Sequence, residues 1–156
     1  KPAVVTLSCG INDGWHRMDK PHDPKGLEKY HENVDRMARM AREAGAHMLI
    51  LAPTVIQEDS EAEGNKRLKQ YIQAGQEVAR RRGAEYVNLH EMFLQVIKKH
   101  HDQEQSGGPK AEPLTTDGVH MRPMGDTLMA VGVLRALGVP DEKIRSTDLS
   151  KVFEQK

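Results

Sequence analysis

The sequence is poor in several features that mark particular classes of protein. Cys9 is the only cysteine, so an intrachain disulfide is excluded and the compartment stays open. There are 23 basic and 23 acidic side chains, so no net charge argues for nucleic acid or an anionic membrane. Aromatic residues make up 4%, which leaves little for stacking on bases. No apolar run reaches the roughly 18–20 residues that span a bilayer. We therefore expect neither a nucleic-acid partner nor a membrane span.

What the 156 residues do contain is an alternation of strand-like and helix-like segments. Apolar runs at 3–9, 47–52 and 85–89 predict strands. Helical spacing predicts helices at about 27–44 and 65–82, a shorter one through 92–97, and one from Pro123 that ends before Gly138. The polar segment 101–113 contains a Gly-Gly-Pro run, which predicts a mobile surface loop. The pattern indicates an α/β fold with parallel strands, one domain at 1–138, and a tail at 139–156 that is weakly helical.

The first predicted strand is apolar on both faces. Three strands make a narrow sheet, and such a strand on its edge would offer unpaired backbone groups and an apolar template. We therefore expect another strand to cover it. That strand would come either from an N-terminal segment that precedes this chain or from a second copy of the chain.

Asp117 and His120 are the strongest candidates for chemistry. A neutral imidazole is a useful base near pH 7, and a carboxylate that accepts one ring N–H fixes its tautomer. The alternative is an exposed turn in which the aspartate caps a helix. Asn12 follows the first strand, where its amide could donate to an oxyanion, although Gly-x-Asn-Asp is also ordinary turn chemistry. Because ligands bind at the carboxyl ends of parallel strands, both segments are expected at one rim.

Two segments resemble sequence blocks of the SGNH (GDSL-type) ester hydrolases. Val4-Val5-Thr6-Leu7-Ser8-Cys9-Gly10-Ile11-Asn12-Asp13, with Trp15, resembles the third block. Thr116-Asp117-Gly118-Val119-His120-Met121-Arg122-Pro123-Met124-Gly125 resembles the fifth. Ala52-Pro53-Thr54-Val55 resembles the strand and turn between them.

The resemblance implies a three-layer α/β/α sandwich with a parallel, flavodoxin-like sheet. It also implies ester hydrolysis through an acyl-enzyme, without a metal or other cofactor. By position, His120 would be the general base, Asp117 its partner and Asn12 an oxyanion-hole donor, while Gly10, Asp13 and Trp15 would line the site. The substrate would be a small-molecule or carbohydrate ester, and members with this pattern often deacetylate carbohydrates.

The nucleophilic serine of this family is not in the sequence. The resemblance places its Gly-Asp-Ser block, a second oxyanion-hole block and a strand–helix–strand portion of the fold upstream of Lys1. Two alternatives stay open. One is a non-catalytic SGNH-like binding or scaffold module that pairs its first strand with a partner. The other is an unrelated flavodoxin-like domain, in which the Asn12 and His120 loops would lie far apart.

Overall fold

Three strands and six helices alternate along residues 1–147, the part of the chain that the computed structural model describes. They are β1 (Val4–Ser8), α1 (Ile11–Trp15), α2 (Pro24–Glu43), β2 (His47–Leu51), α3 (Glu63–Arg82), β3 (Glu85–Val87), α4 (Leu89–Gln105), α5 (Pro123–Ala136) and α6 (Asp141–Ser146). The strand–helix alternation therefore gives the α/β fold expected from the sequence. The tail from residue 139 contains α6, and its last residues, 148–156, lie outside the described residues. The boundary at 138 stays a prediction.

Helix α2 begins, and helix α3 ends, at a residue suited to that position. Asp23 is the N-cap of α2, where its side chain accepts a hydrogen bond from the Lys25 N–H at 3.1 Å, and Pro24 occupies the first helical position. Helix α3 ends at Gly83, whose φ of 68° is a left-handed conformation that glycine adopts without a side-chain penalty. These ends fix the lengths of the crossovers between the strands.

The sheet is parallel throughout, in the order β1-β2-β3. On one face, Met48 and Ile50 of β2 pack in a core shared with α2 and α3. On the other face, Leu49 and Leu51 pack against residues of α4 and α5. Helices thus cover both faces, which makes a three-layer arrangement around a small sheet.

Strand β1 lies at an edge of the sheet within the described residues. Val5 and Leu7 are half-buried against the core formed with α2 and α3. Val4, Thr6 and Ser8 point to the opposite face and are exposed, with Val4 at 39%. Within residues 1–147, one edge of the first strand is therefore unpaired, which is the arrangement that soluble proteins usually avoid for an apolar strand.

Two local expectations were wrong. Residues 101–105 are not loop but the last turn and a half of α4, because a polar sequence can also form a solvent-facing helix. Contacts four residues apart hold this end, with Lys98 Nζ 2.7 Å from Asp102 Oδ2. The other error is α1, a five-residue helix where the sequence suggested a turn. A single turn is too short to show helical periodicity.

None of the helices described in residues 1–147 combines the length and apolar character needed to cross a membrane.

Candidate functional site

The candidate residues lie at the rim where β1 and β2 end. Gly10 lies two residues after the end of β1 and is the N-cap of α1, with a φ of 104°, a backbone conformation that L side chains rarely adopt. A Cβ at this position would also lie 3.1 Å from Tyr30 Cε2. Glycine is therefore required for the sharp turn that sets Asn12 and Trp15 at the end of the sheet.

The loop from Leu114 to Met121 carries Asp117 and His120 and closes on itself. The backbone N–H of Thr116 donates to the His120 carbonyl at 2.8 Å, and Thr115 pairs with Met121 in an isolated antiparallel bridge. Helix α5 starts immediately afterwards, at Pro123. The loop is a short, hydrogen-bonded hairpin between the buried Leu114 and this helix.

Asp117 and His120 are paired within this loop. One carboxylate oxygen of Asp117, Oδ2, lies 2.7 Å from His120 Nδ1. The other, Oδ1, accepts hydrogen bonds from the backbone N–H groups of Val119 at 3.0 Å and His120 at 2.8 Å. Both oxygens are used, so the orientation of the carboxylate is fixed by three contacts.

These contacts also determine the tautomer of the histidine. Hydrogen bonds from the His120 backbone, the His120 ring and the Val119 backbone lower the pKa of Asp117 to about 2. The carboxylate is therefore charged at neutral pH and can only accept. It follows that His120 Nδ1–H donates, which leaves Nε2 as the basic atom.

Trp15 joins α1 to this loop. The ring centroids of Trp15 and His120 are 5.3 Å apart and the planes meet at 81°, an edge-to-face contact. Asn12 precedes Trp15 by three residues on α1, so both side chains lie on one face of the helix. The Asn12 and His120 segments are therefore neighbours. This proximity rules out the unrelated fold in which they would lie far apart.

Asn12 is exposed, and within residues 1–147 its side-chain amide forms no hydrogen bond. It is free to donate to a ligand.

Asp13 lies elsewhere: it lines a cavity of about 430 Å³ with Cys9, Tyr30 and Tyr71, between α1 and helices α2 and α3. Of the predicted site residues, the structure thus brings Trp15, Asp117 and His120 into contact and puts Asn12 on the same short helix as Trp15. Asp13 lies apart from them, at the cavity beside Tyr30.

Two residues that sequence reasoning did not single out also contact the loop. Both Thr115 donors, the backbone N–H and the hydroxyl, bond to Glu58 Oε1 at 2.7 and 2.6 Å. The Gln57 N–H donates to the Gly118 carbonyl at 2.8 Å. Gln57 has a φ of 65°, which is uncommon for a residue other than glycine. No local sequence motif predicts these contacts, because they join segments that are far apart in the chain.

Cys9 is not suited to act as a nucleophile. Burial raises the pKa of its thiol, and a protonated thiol is a poor nucleophile. In the described part of the chain, no group of three or more His, Cys, Asp or Glu side chains is arranged to hold a metal ion.

Comparisons with solved structures place this geometry in a known fold. The acetylxylan esterase Axe2 from Geobacillus stearothermophilus superposes with a TM-score of 0.72 at 21% identity, over 88% of this chain and 60% of its own. LAE5, an alpha/beta hydrolase from the metagenome of Lake Arreo, Spain, gives 0.72 at 25% identity, over 89% and 61%. The acetyl xylan esterase AlAXEase gives 0.71 at 21% identity, over 86% and 67%.

The chain spans about 60% of the length of the first of these enzymes. Among curated proteins, none matches the sequence. The model of the GDSL-like lipase/acylhydrolase family matches residues 1–128, which is most of the chain. Together with the α/β architecture and the paired loops at the sheet rim, this match shows that the chain belongs to the GDSL-like lipase/acylhydrolase family.

Proposed function

We propose that the intact protein hydrolyses carboxylic esters through an acyl-enzyme. The observation that carries the proposal is the Asp117–His120 pair: a charged carboxylate holds Nδ1–H and leaves Nε2 as a base next to α1. The family match and the esterases among the structural neighbours support the same reaction class.

In the proposed reaction, a serine hydroxyl attacks the acyl carbon while His120 Nε2 accepts its proton. His120 then donates that proton to the leaving alcohol, and Asp117 stabilises the imidazolium in between. Asn12 donates its amide hydrogen bond to the oxyanion of the tetrahedral intermediate. A water molecule, deprotonated by His120, finally releases the acid and regenerates the serine.

The serine is proposed to come from a segment upstream of this chain. Alanine replacements of a serine, an aspartate and a histidine in Axe2 are described as catalytic mutants. Its aspartate and histidine are three positions apart, as Asp117 and His120 are. Its serine lies much farther upstream of the histidine than any residue of this chain lies upstream of His120.

The structure leaves room for such a segment. Within residues 1–147, no serine is hydrogen-bonded to His120, and the His120 side chain is 67% exposed. In the described part of the chain no strand pairs with the outer edge of β1, and the residues on its outer face are exposed. A strand that pairs with this edge in the parallel sense of the sheet would end at the same rim as β1, next to Asn12.

We further propose an acetylated carbohydrate as the substrate. Support comes from neighbours described as acetylxylan esterases. The cofactor-free mechanism above needs only groups of the protein and water.

One observation favours a second candidate, a non-catalytic module. The described residues contain an open strand edge but no nucleophile paired with His120. In that case β1 would be covered by a second copy of the chain or by a partner, and the protein would bind a ligand without turning it over.

The test is the denatured intact mass of the natural protein after exposure to a fluorophosphonate. We expect a mass above 17.5 kDa that increases by one phosphonyl group, because a serine activated by His120 reacts with this reagent. An unmodified protein that also fails to hydrolyse acetylated xylo-oligosaccharides or a simple aryl acetate would overturn the esterase proposal and favour the binding module.

A further inference from the structure

The side chains of the proposed general base and its aspartate face solvent, although Leu114, Thr115 and Val119 of the same loop are buried. Asp117 and His120 are 45% and 67% exposed, and apart from the contact of Trp15 with His120 little packing restrains these two side chains. A proton transfer nevertheless requires the base to be held at a defined place, and a displacement of about 1 Å can cost two orders of magnitude in rate. Something outside the pair must therefore fix the position of this loop.

Glu58 contacts the base of the loop. Its Oε1 accepts both the backbone N–H of Thr115, at 2.7 Å, and the Thr115 hydroxyl, at 2.6 Å. Thr115 itself is 4% exposed, so its backbone N–H could not form a replacement hydrogen bond with water if this acceptor were removed. Within the described residues Glu58 forms no ion pair, and the two Thr115 donors are the hydrogen-bond partners of its carboxylate.

The neighbouring residue contacts the tip of the same loop. The Gln57 N–H donates to the Gly118 carbonyl at 2.8 Å, and a Cβ at Gly118 would lie 3.3 Å from the Gln57 backbone. Gln57 and Glu58 thus hold the loop at its tip and at its base. Asp117 lies between these two points.

The segment that provides these contacts is itself fixed to α3. Asn65 is fully buried, and its carbonyl oxygen accepts from the Ile56 N–H at 2.9 Å. Its amide donates to the carbonyls of Gln57 at 3.2 Å and Asp59 at 2.6 Å. The residues on either side of Glu58 are therefore hydrogen-bonded to α3, and Glu58 itself is hydrogen-bonded to the loop of the general base.

We propose that Glu58 is a positioning residue for ester hydrolysis: by holding Thr115 it sets the place of the Asp117–His120 pair relative to α1. The inference rests on the hydrolysis proposed above. Glu58 does not touch the substrate in this assignment. It acts through Thr115, and an uncharged acceptor of the same shape should largely replace it.

The experiment compares Glu58→Ala and Glu58→Gln in the intact protein, with an aryl acetate as the substrate. For Glu58→Ala we expect kcat to fall about 10–100-fold with KM within about threefold of the wild type, since positioning rather than binding is lost. Glu58→Gln keeps an acceptor oxygen for Thr115 and should restore kcat to within about threefold. Glu61→Ala is the control, because the side chain of this exposed glutamate from the same segment lies 3.9 Å from Lys66 and has no hydrogen bond to the loop among the described residues.

A second pair of variants covers the case in which Glu58→Ala does not fold. Thr115→Ser keeps both donors and should behave as the wild type, whereas Thr115→Val keeps only the N–H and should lose about 3–10-fold in kcat. Rates are measured well below each melting temperature. The inference is overturned if Glu58→Ala keeps the wild-type kcat, if Glu58→Gln is as slow as Glu58→Ala, or if Thr115→Val equals Thr115→Ser. An inactive wild type would instead refute the esterase proposal.

Discussion

At the scale of single residues, the Asp117–His120 pair combines exposure with order. Its side chains face solvent, yet both carboxylate oxygens of Asp117 are occupied by three hydrogen bonds. The spacing of three residues makes this possible, because the carboxylate reaches the backbone N–H and the ring of the same histidine. The hydrogen bonds within the pair are therefore local, whereas its place at the sheet rim depends on the contacts that Gln57 and Glu58 make with the loop.

Replacing either member should abolish activity without unfolding the protein. We expect His120→Ala and Asp117→Asn each to lower kcat by about 10³–10⁴-fold or more, because the base or its tautomer is lost. Since both side chains are exposed, melting temperatures should change little. The check is steady-state kinetics of the intact protein, with His22→Ala as the control. Esterase rates near the wild type in His120→Ala would refute the role.

The sequence predicted the residues of this site that follow from local patterns. Asp117 and His120 are three positions apart before a helix start, and Gly10 with Asn12 follows a clear strand. Glu58 and Thr115 carried no such signal, because their contact joins residues 57 positions apart in the chain. A single glutamate in a polar loop looks the same whether or not it accepts a buried N–H. The assigned roles themselves stay predictions until the kinetics are measured.

At the scale of elements, the start of α3 organises the connection from β2. The helix has no side-chain cap, and Asn65 in its first turn instead bonds the chain that leads into it. Gly64 makes the close approach possible, since a Cβ there would lie 2.3 Å from Ile56 Cγ2. The connection is therefore packed and hydrogen-bonded rather than free.

Asn65→Ala should destabilise the protein strongly. Removing this side chain leaves the buried Ile56 N–H without a partner and frees two part-buried carbonyls that water can reach. The buried N–H alone costs about 1–3 kcal/mol and the carbonyls cost less, so we expect a loss of about 2–4 kcal/mol. Urea denaturation measures it, with Gln73→Ala on the exposed side of α3 as the control. A loss below about 0.5 kcal/mol would contradict the buried network.

The elements with strong periodicity were predicted from the sequence, and those without it were not. Strand runs at β1 and β2 and the helices α2, α3 and α5 all appear near their expected bounds. The end of α4 was missed, because its stability comes from side-chain pairs on a polar face rather than from buried apolar residues.

At the scale of the whole molecule, one ion-pair group joins the two helices on the same face of the sheet. Asp35 of α2 meets Arg82 of α3 through two hydrogen bonds, of 2.7 and 2.6 Å, and Arg81 through a third, of 2.8 Å. These guanidinium groups, Arg82 foremost, hold the pKa of Asp35 well below its ordinary value. The folded state thus binds this proton less readily than the unfolded chain does.

Asp35→Asn should therefore cost stability at neutral pH and less in acid. Because the pKa of Asp35 is lowered by folding, its contribution is complete above the unfolded pKa of about 4 and declines as the pH falls below it. We expect a loss of about 1 kcal/mol at pH 7 that shrinks by pH 3. Urea denaturation at both pH values measures this, with Asp19→Asn as the control, because this exposed aspartate forms no ion pair within residues 1–147 and its loss should change stability little. A pH-independent difference would contradict the role of the charge.

Trp15 gives the molecule a spectroscopic consequence. It is the only tryptophan among the 156 residues, and its ring packs edge-to-face with that of His120, a residue more than a hundred positions away in the chain. Tryptophan fluorescence of this chain therefore comes from a single site, the contact between helix α1 and the loop that precedes α5. A change in that emission reports whether the two distant ends of the fold have come together, with no label attached.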